Sequence, residues 1–454
     1  MTADYPWFSA ALSAYRHCQT WFVAYSGGLD SSVLLKLLVD LRAIDDSIPA
    51  LQVIHVNHGL SANAHQWQKH CIETCEEYDV PLSVFQVDIE ADLRLGVEAA
   101  ARKVRYGVFE RQLAKTDVLL MAHHLDDQLE TFFLRLFRGA GIDGLTSIPQ
   151  QRSLGQGQLV RPLLGQSRAS LEKLAEYLTV SWVDDESNTD TRFDRNFLRH
   201  ELMPVIEKRW PAYRQTMSRT LDHLQSSRGL LSAVANEKLA CCESVVSGQP
   251  VLLFSELVAA GNEQASLTLR SWLKKYRFDA PRSEQIKEFL QQLQHSDTDA
   301  QPCLSGHGYE LRRYDGGVYL LLPETEFDES LVLPLDVTSP GTSSSFSVLG
   351  VGQLSFKAKL GKGIKSNWNK PLSISFRRGG ERCQPVGRAH SQSLKKLFQE
   401  YKVEPWWRDR VPLIYTGGDL MAVGDYWVCE GTWVSADEEG FGLAWQRPGI
   451  DIHD

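Results

Sequence analysis

The chain has 454 residues, about three times the length of an average domain and too long for a single hydrophobic core. With 43% hydrophobic, 23% charged and 10% aromatic residues, its composition is that of a globular protein and excludes the disordered, collagenous and coiled-coil classes. No run of residues is apolar enough to span a membrane, and no basic segment followed by an apolar run opens the sequence. We therefore expect a cytoplasmic protein with no membrane partner.

Charge is distributed unevenly along the chain. The net charge is −9, yet residues 351–412 contain fourteen Lys and Arg against four Asp and Glu, a net charge of +10 that leaves −19 for the rest. Clustered positive charge favours a polyanion as partner, and a solvated basic face is the alternative. Charge alone does not decide between them.

The first two hundred residues alternate short apolar runs with amphipathic ones. The runs predict strands at residues 21–25, 51–57, 82–88 and 118–123. Helical periodicity predicts helices at residues 32–41, 64–78 and 97–113. This alternation predicts an α/β fold, a parallel sheet covered by helices on both faces, with ligands bound beyond the carboxyl ends of the strands.

After residue 211 the pattern becomes helical, at residues 223–239, 263–276 and 283–293. Strands follow at 309–313 and 318–322 around Asp315-Gly316-Gly317, a hairpin signal. An acidic segment rich in Pro, Ser and Thr comes next and is typical of a linker. We predict four segments: a catalytic domain at 1–210, a mainly helical middle domain at 211–325, a linker at 326–349, and a small, basic, mixed α+β domain at 350–454.

The strongest chemical signal lies between the first strand and the first helix of the predicted sheet. It has the sequence Ser26-Gly27-Gly28-Leu29-Asp30-Ser31-Ser32. Adjacent glycines let backbone N–H groups point inward, and the helix that follows adds its positive end, so the turn is suited to phosphate. Serine hydroxyls can donate to phosphate oxygens. Asp30 repels bare phosphate, which indicates a bridging Mg²⁺.

This turn resembles the pyrophosphate loop (PP-loop) of the N-type ATP pyrophosphatases, and further motifs resemble one family of them, the tRNA(Ile)-lysidine synthetases. In the first two hundred residues these are 55–60, Glu98 with 102–106, 123–131 with Arg138-Gly139, 161–164, Asp184-Asp185 with Ser187-Asn188, and 195–199. Downstream they are 376–382, His390, 393–398, 405–408 and 412–415. The resemblance covers nearly the whole chain and is weakest in the middle third.

The resemblance implies a fold, a reaction and its partners. The first domain is expected to be of the adenine-nucleotide α-hydrolase-like type, with ATP and Mg²⁺ bound at the loop. ATP adenylates the C2 oxygen of the cytidine at the first anticodon position of a tRNA(Ile) with a CAU anticodon. The amine of free L-lysine then attacks C2 and displaces AMP, which leaves lysidine.

Roles for individual residues follow from that resemblance. We expect ATP at the loop residues 26–32 and Mg²⁺ at Asp30. The candidate catalytic residues are Asp30, Asp127, Glu130 and Arg105. Asp127 and Glu130 either complete the metal site or hold the ammonium of lysine, and Arg105 lies on a predicted helix face suited to phosphate, with a solvated face as the alternative. Capping of a helix start is the structural alternative for the two acids. His123 and His124 are expected to form hydrogen bonds at a strand end and not to bind zinc. The candidates for tRNA contact are Arg195, Arg199, Arg377, Arg378, Lys395, Lys396 and Arg408.

Two features of the C-terminal domain carry their own predictions. Leu394, Leu397 and Phe398 alternate with Lys395 and Lys396 as in a helix with apolar residues inward and cations outward. The adjacent Trp406 and Trp407 suit a core, and stacking on unpaired bases is the alternative.

Other functions remain open from sequence. A PP-loop tRNA thiolase is the second enzyme class, although Cys71 and Cys75 are spaced as CxxxC and not CxxC, and we expect them to be packing residues. A tRNA-binding protein that uses ATP only as a structural ligand is the non-catalytic alternative. The sequence leaves the oligomeric state open, with a homodimer as one candidate.

Overall fold

The structure is a computed structural model that describes residues 5–59, 61, 63–88, 97–184, 186–295, 300–335, 344–361, 363–365 and 371–450. Outside the described residues lie Leu60 and Asp185 of the motifs, residues 336–343 of the predicted linker, two lysines of the basic segment, and the side chains of Glu98, Ser187 and Asn188. The chain forms two compact units, Met1–Gly229 and Leu230–Asp454.

A six-stranded sheet forms the centre of the first unit. Its strands are β1 (Thr20–Ala24), β2 (Ala50–Asn57), β3 (Leu82–Gln86), β4 (Asp117–Leu120), β5 (Gln151–Leu154) and β6 (Gly157–Val160). Their order is β3-β2-β1-β4-β6-β5, parallel throughout except that β5 runs antiparallel to β6. The predicted α/β class is confirmed, and β5 and β6 are additions that the sequence reading did not contain.

Helices cover both faces of this sheet. They are α1 (Pro6–Leu12), α2 (Leu29–Ile44), α3 (Ala64–Glu77), α4 (Val97–Gln112), α5 (Leu125–Phe137), α6 (Ile142–Leu145), α7 (Arg168–Tyr177), α8 (Asp194–Phe197) and α9 (Met203–Arg209). On one face, Trp21 and Val23 of β1 pack in a cluster with Leu34 of α2. On the other, Leu119 of β4 packs with Phe109 of α4. Strands buried on both sides explain why they read as continuous apolar runs.

The position of a ligand cleft follows from the strand order. From β1 the chain moves to β2 on one side, whereas β4 lies on the other side of β1. At such a switch point the loops after the two central strands diverge and leave a crevice beyond their carboxyl ends. The segments that follow β1 and β4 are the predicted phosphate loop and the His123 to Glu130 motif.

The second unit begins within α10 (Tyr213–Cys242), which crosses the boundary between the units. A five-stranded sheet of order β7-β8-β11-β10-β9 follows, built from β7 (Glu243–Val246), β8 (Gln249–Leu253), β9 (Cys303–Gly306), β10 (Tyr309–Tyr314) and β11 (Gly317–Leu321). Helices α11 (Phe254–Val258), α12 (Asn262–Lys275) and α13 (Ser283–His295) accompany it. The predicted hairpin is confirmed by the antiparallel pairing of β10 with β11.

Small antiparallel sheets make up the C-terminal part. Their strands are β12 (Leu333–Leu335), β13 (Ser344–Val348), β14 (Gly352–Leu360), β15 (Ile364–Lys365), β16 (Leu372–Ser375), β17 (Arg382–Cys383), β18 (Gln392–Ser393), β19 (Leu413–Thr416), β20 (Asp419–Val423), β21 (Trp427–Val428) and β22 (Glu439–Gln446), with one helix, α14 (Leu394–Glu400). β12 and β13 lie within the segment predicted as linker and pair with β16 and β14. The boundaries of the four segments stay predictions.

Trp406 and Trp407 belong to the core of this C-terminal part. Both are buried, and their rings make edge contacts with Tyr319 and Trp445 respectively. The prediction that both tryptophans belong to a core is therefore confirmed. Among the described residues, no helix is long and apolar enough to cross a membrane.

Candidate active site

The turn between β1 and α2 is shaped by its first glycine. Gly27 has φ of +81°, which side-chain-bearing residues rarely adopt. A Cβ at this position would lie 3.0 Å from Sγ of Cys71 and 3.2 Å from Val183. Both the backbone conformation and the close packing of α3 therefore require glycine here.

The serine hydroxyls divide into two groups. Oγ of Ser31 donates to the Gly28 carbonyl over 2.9 Å and lies 3.0 Å from Oγ of Ser26, so these two line the turn. The buried Ser32 instead contacts the Gly27 carbonyl and the hydroxyl of Tyr25. Ser32 therefore stabilises the turn from behind, and Ser26 and Ser31 are the better placed for phosphate. The first N–H groups of α2 have no carbonyl partner within the helix and face the same turn.

Asp30 lies in the first turn of α2 with its two oxygens in different surroundings. Oδ2 accepts a hydrogen bond of 2.7 Å from Nη1 of Arg168 and lies 3.6 Å from Nε2 of His124. Oδ1 is buried and makes no hydrogen bond with the described residues. A buried carboxylate oxygen without a donor suits a hard cation. Asp30 thus fits the predicted Mg²⁺ ligand, with phosphate oxygens and water as the ligands Mg²⁺ usually adds.

Three acids at the start of α5 form the second half of the site. Asp127 Oδ2 accepts the backbone N–H of His124, which caps the helix, and Oδ1 accepts from Nη2 of Arg195 over 2.8 Å. Glu130, 2% exposed, accepts from Nε of Arg195 over 2.7 Å. Asp127 and Glu130 therefore share one arginine. The capping alternative is therefore correct for Asp127, and its role in the site stays a prediction.

Asp126 points away from that pair. Its Oδ2 accepts the backbone N–H of Arg168 over 2.7 Å, and Oδ1 accepts from Nε of Arg214 over 2.7 Å. Asp126 and Glu130 are four residues apart on α5, a spacing that places both on one helix face, yet their side chains diverge toward different arginines. Through its hydrogen bond to the Arg168 N–H, Asp126 links the start of α5 with the start of α7.

Arg195 and Arg199, predicted as tRNA contacts, lie in the acid cluster. Nε of Arg199 donates to Glu130 over 2.7 Å, and the Arg195 and Arg199 side chains are only 28% and 36% exposed. Glu130 raises the pKa of Arg199 although burial opposes this. Burial raises the pKa of Asp127, but the positive charges of His124 and Arg195 outweigh it and hold that pKa below its usual value.

Of the two histidines between β4 and α5, His123 forms the predicted hydrogen bond, whereas His124 lies among carboxylates and its Nδ1 makes no hydrogen bond with the described residues. Burial lowers the pKa of His123 to about 3, and its Nδ1 accepts from Nε of Arg161 over 3.1 Å. His124 is 3% exposed between the carboxylates of Asp30 and Asp127, whose charges raise its pKa against the effect of burial. The described residues contain no group of three or more His, Cys, Asp and Glu able to hold a metal.

Arg105 lies half-buried on α4. Its charge lowers the pKa of His58, after the larger effect of burial, and so places it near the end of β2. On the same helix, Arg102 stacks on Tyr106 at 4.8 Å from the ring centre, with Arg152 at 5.0 Å from that centre. Arginines thus cluster beside the cleft, and the assignment of Arg105 to catalysis stays a prediction.

The C-terminal candidates for tRNA contact differ in their exposure and in their hydrogen bonds and ion pairs within the protein. Lys395 and Lys396 are exposed on α14, whose Leu394, Leu397 and Phe398 are buried, as the pattern predicted. Three arginines are engaged within the unit: Arg377 pairs with Asp409, Arg378 donates to the Ser330 carbonyl, and Arg408 donates to the Val403 carbonyl. The two lysines are the candidates most open to a polyanion.

Sequence reasoning missed Arg168 and Arg214. Their carboxylate partners Asp30 and Asp126 lie 138 and 88 residues earlier in the chain, so no local spacing connects them. The one signal near Arg168 is Ser167, which caps α7 by accepting the N–H of Ser170. That signal locates a helix start, but not the direction of the arginine.

Comparison with known proteins identifies the domains and the family of the chain. Family models match residues 8–206 ("PP-loop domain"), 252–319 ("TilS substrate binding domain") and 372–445 ("TilS substrate C-terminal domain"). A tRNA(Ile)-lysidine synthase from Coxiella burnetii is 37% identical over 94% of this chain and 93% of its own length. One from Serratia proteamaculans is 37% identical over 96% of this chain and 97% of its own.

Proposed function

The chain belongs to the tRNA(Ile)-lysidine synthase family, and from that premise we propose how its residues carry out the reaction. The enzyme uses ATP to join free lysine to C2 of the cytidine at the first anticodon position of tRNA(Ile) with a CAU anticodon. Adenylated tRNA is the intermediate, and AMP and diphosphate are released. The PP-loop thiolase and the non-catalytic binding protein are not favoured, because the similarity to lysidine synthases extends over the whole chain.

The nucleotide binds with its phosphates in the turn at residues 26–31. Backbone N–H groups at the start of α2, together with Ser26 and Ser31, contact the β- and γ-phosphates that leave as diphosphate. Asp30 would hold Mg²⁺, which neutralises phosphate charge during attack on the α-phosphate. Positioning and charge stabilisation supply the catalysis at this step, since these residues need no covalent chemistry.

The acid cluster on α5 receives the lysine. Asp127 stays ionised at neutral pH because its pKa is lowered, and it offers a carboxylate to a cationic amino acid. Arg195, which bridges Asp127 and Glu130, is positively charged and can pair with the negative α-carboxylate of the same ligand. A site with opposite charges side by side suits a zwitterion that carries an additional ammonium.

The tRNA contacts divide by their exposure. Lys395 and Lys396 are placed to contact phosphate backbone. Arg377, Arg378 and Arg408 would have to exchange or share an intramolecular partner before they contact RNA. We infer a cytoplasmic location from the substrates ATP, lysine and tRNA, and a homodimer stays a prediction.

The observation that carries the proposal is the convergence of Asp30, Asp127 and Glu130 at the carboxyl ends of β1 and β4. Pure nucleotide binding needs no such acids beside phosphate. The test combines the protein with ATP, radiolabelled lysine and unmodified tRNA(Ile). We expect AMP release that depends on lysine for turnover, with label incorporated into RNA. The matched control is a tRNA whose first anticodon cytidine is replaced by uridine, and label in that control or in neither RNA contradicts the proposal.

A further inference from the structure

Arg168 binds the Asp30 carboxylate, the same group that would hold Mg²⁺ in the proposed function. Its Nη1 donates to Asp30 Oδ2 over 2.7 Å, and the free oxygen Oδ1 of the same carboxylate is buried. A guanidinium here and a divalent cation both neutralise this carboxylate, and they repel each other when both lie against it. The two cations therefore compete for Asp30.

The base of Arg168 is fixed, whereas its end can move. The backbone N–H is bound to Asp126 Oδ2 over 2.7 Å, and Ser167 caps the helix. The side chain is 37% exposed, its Nε contacts the half-exposed Glu172, and its Nη2 makes no hydrogen bond with the described residues. A long, partly exposed side chain on a fixed helix start can turn about its stem without disturbing the fold.

The phosphates bound by the turn at residues 26–31 are the second partner that the Arg168 side chain can reach. Asp30 belongs to the same turn that holds the β- and γ-phosphates in the proposed function, so Arg168 is already adjacent to the phosphates. Guanidinium groups bind phosphate oxygens through two parallel hydrogen bonds, and Nη1 and Nη2 are both available once Asp30 is released.

We propose that Arg168 is a positioning residue that neutralises Asp30 before nucleotide binds and transfers to the diphosphate when Mg²⁺ takes its place. This inference rests on the proposed function for the identity of the diphosphate. Before nucleotide binds, the guanidinium faces the Asp30 carboxylate. After the exchange, the metal faces Asp30 and the guanidinium faces the phosphates, so each anionic group has a cation beside it at both stages. The exchange also keeps the Asp30 carboxylate oriented toward the turn while the metal is absent.

Two measurements test the exchange, each on wild type, Arg168→Gln, Arg168→Lys and a matched control. The control is Lys173→Gln, which removes one exposed cation from the same helix away from Asp30. In the first, Mn²⁺ binding to the protein alone is followed by electron paramagnetic resonance. We expect Arg168→Gln to bind Mn²⁺ about tenfold more tightly because its competitor is gone, with Lys173→Gln unchanged. Equal or weaker binding in Arg168→Gln overturns the neutralising role.

The second measurement is product inhibition by inorganic pyrophosphate. We expect the inhibition constant to rise about thirtyfold in Arg168→Gln and about fivefold in Arg168→Lys, since lysine offers a single point charge. An inhibition constant unchanged from wild type overturns the transfer. Failure of the wild type to ligate lysine refutes the proposed function instead, and the Mn²⁺ titration does not depend on that result.

Discussion

The acid cluster of the first unit and the basic C-terminal part use positive charge in opposite ways. Around the acid cluster, three arginines each face a carboxylate: Arg168 with Asp30, Arg195 with Asp127, and Arg199 with Glu130. On α14, Lys395 and Lys396 extend from a buried apolar face into solvent. The first arrangement fixes side chains before substrate arrives, and the second leaves charge available to a large partner. Exposure and pairing thus separate the proposed catalytic site from the proposed RNA surface.

The largest effect is expected where the comparison is sharpest, at Asp30. We predict that Asp30→Asn reduces adenylate formation at least about 1000-fold, because the metal loses its carboxylate, while tRNA affinity changes by less than about threefold. Single-turnover AMP formation and filter binding measure the two. Asp40→Asn on the same helix, paired with Lys36, is the control and should leave both unchanged. Equal loss of tRNA binding and adenylation would show that the two regions are not separate in function.

Loss of the Glu130 charge tests whether the acid cluster is preorganised. Glu130→Gln leaves Arg195 and Arg199 with one carboxylate fewer in a largely buried setting, so we predict a fall of about 3 kcal/mol in the free energy of unfolding. Urea titration gives this value. The control Glu207→Gln breaks a half-exposed pair with Arg214 and should cost less than about 1 kcal/mol. Similar losses in both variants would contradict preorganisation.

The exposed lysines test the other side of the comparison. We predict that Lys395→Gln with Lys396→Gln weakens tRNA binding about tenfold and lowers the slope of log affinity against log salt by about 1.8, since each phosphate contact contributes about 0.9. Lys69→Gln with Lys173→Gln, two exposed lysines on α3 and α7, removes equal charge as the control. A slope equal to that of wild type would exclude this helix from the RNA interface.

The smallest predicted effect concerns pH. The pKa of His123 is about 3 in the folded chain against its usual 6.5, so the unfolded chain binds more protons between these values. The stabilising effect is complete above about pH 6.5 and is lost as pH falls. Because the residue is partly exposed, we predict that the wild type loses only about 1 kcal/mol more than His123→Asn between about pH 7 and pH 5. Parallel pH profiles from urea titration would contradict this.

Sequence alone located the sheet and the phosphate turn because both depend on local pattern. Strands buried on two sides are mostly apolar, as at β1 and β4, and the turn needs adjacent glycines. β5 escaped notice because it is an edge strand of mostly exposed residues, Gln151–Leu154. Pairings such as Arg168 with Asp30 escaped because they depend on how distant helices meet. Features that depend on neighbouring residues could be predicted from the sequence, and ion pairs between residues far apart in the chain could not.

One oxygen of Asp127 caps the start of α5 by accepting the backbone N–H of His124, and the other accepts a hydrogen bond from Arg195. Under the proposed function, a laboratory evolution experiment aimed at other amines would therefore meet an obstacle at this position, because a substitution that removes the Asp127 carboxylate from the proposed lysine site also loosens the start of α5. Accepted variants should arise first at neighbours of Asp127, with position 127 changing only after the scaffold has been stabilised elsewhere.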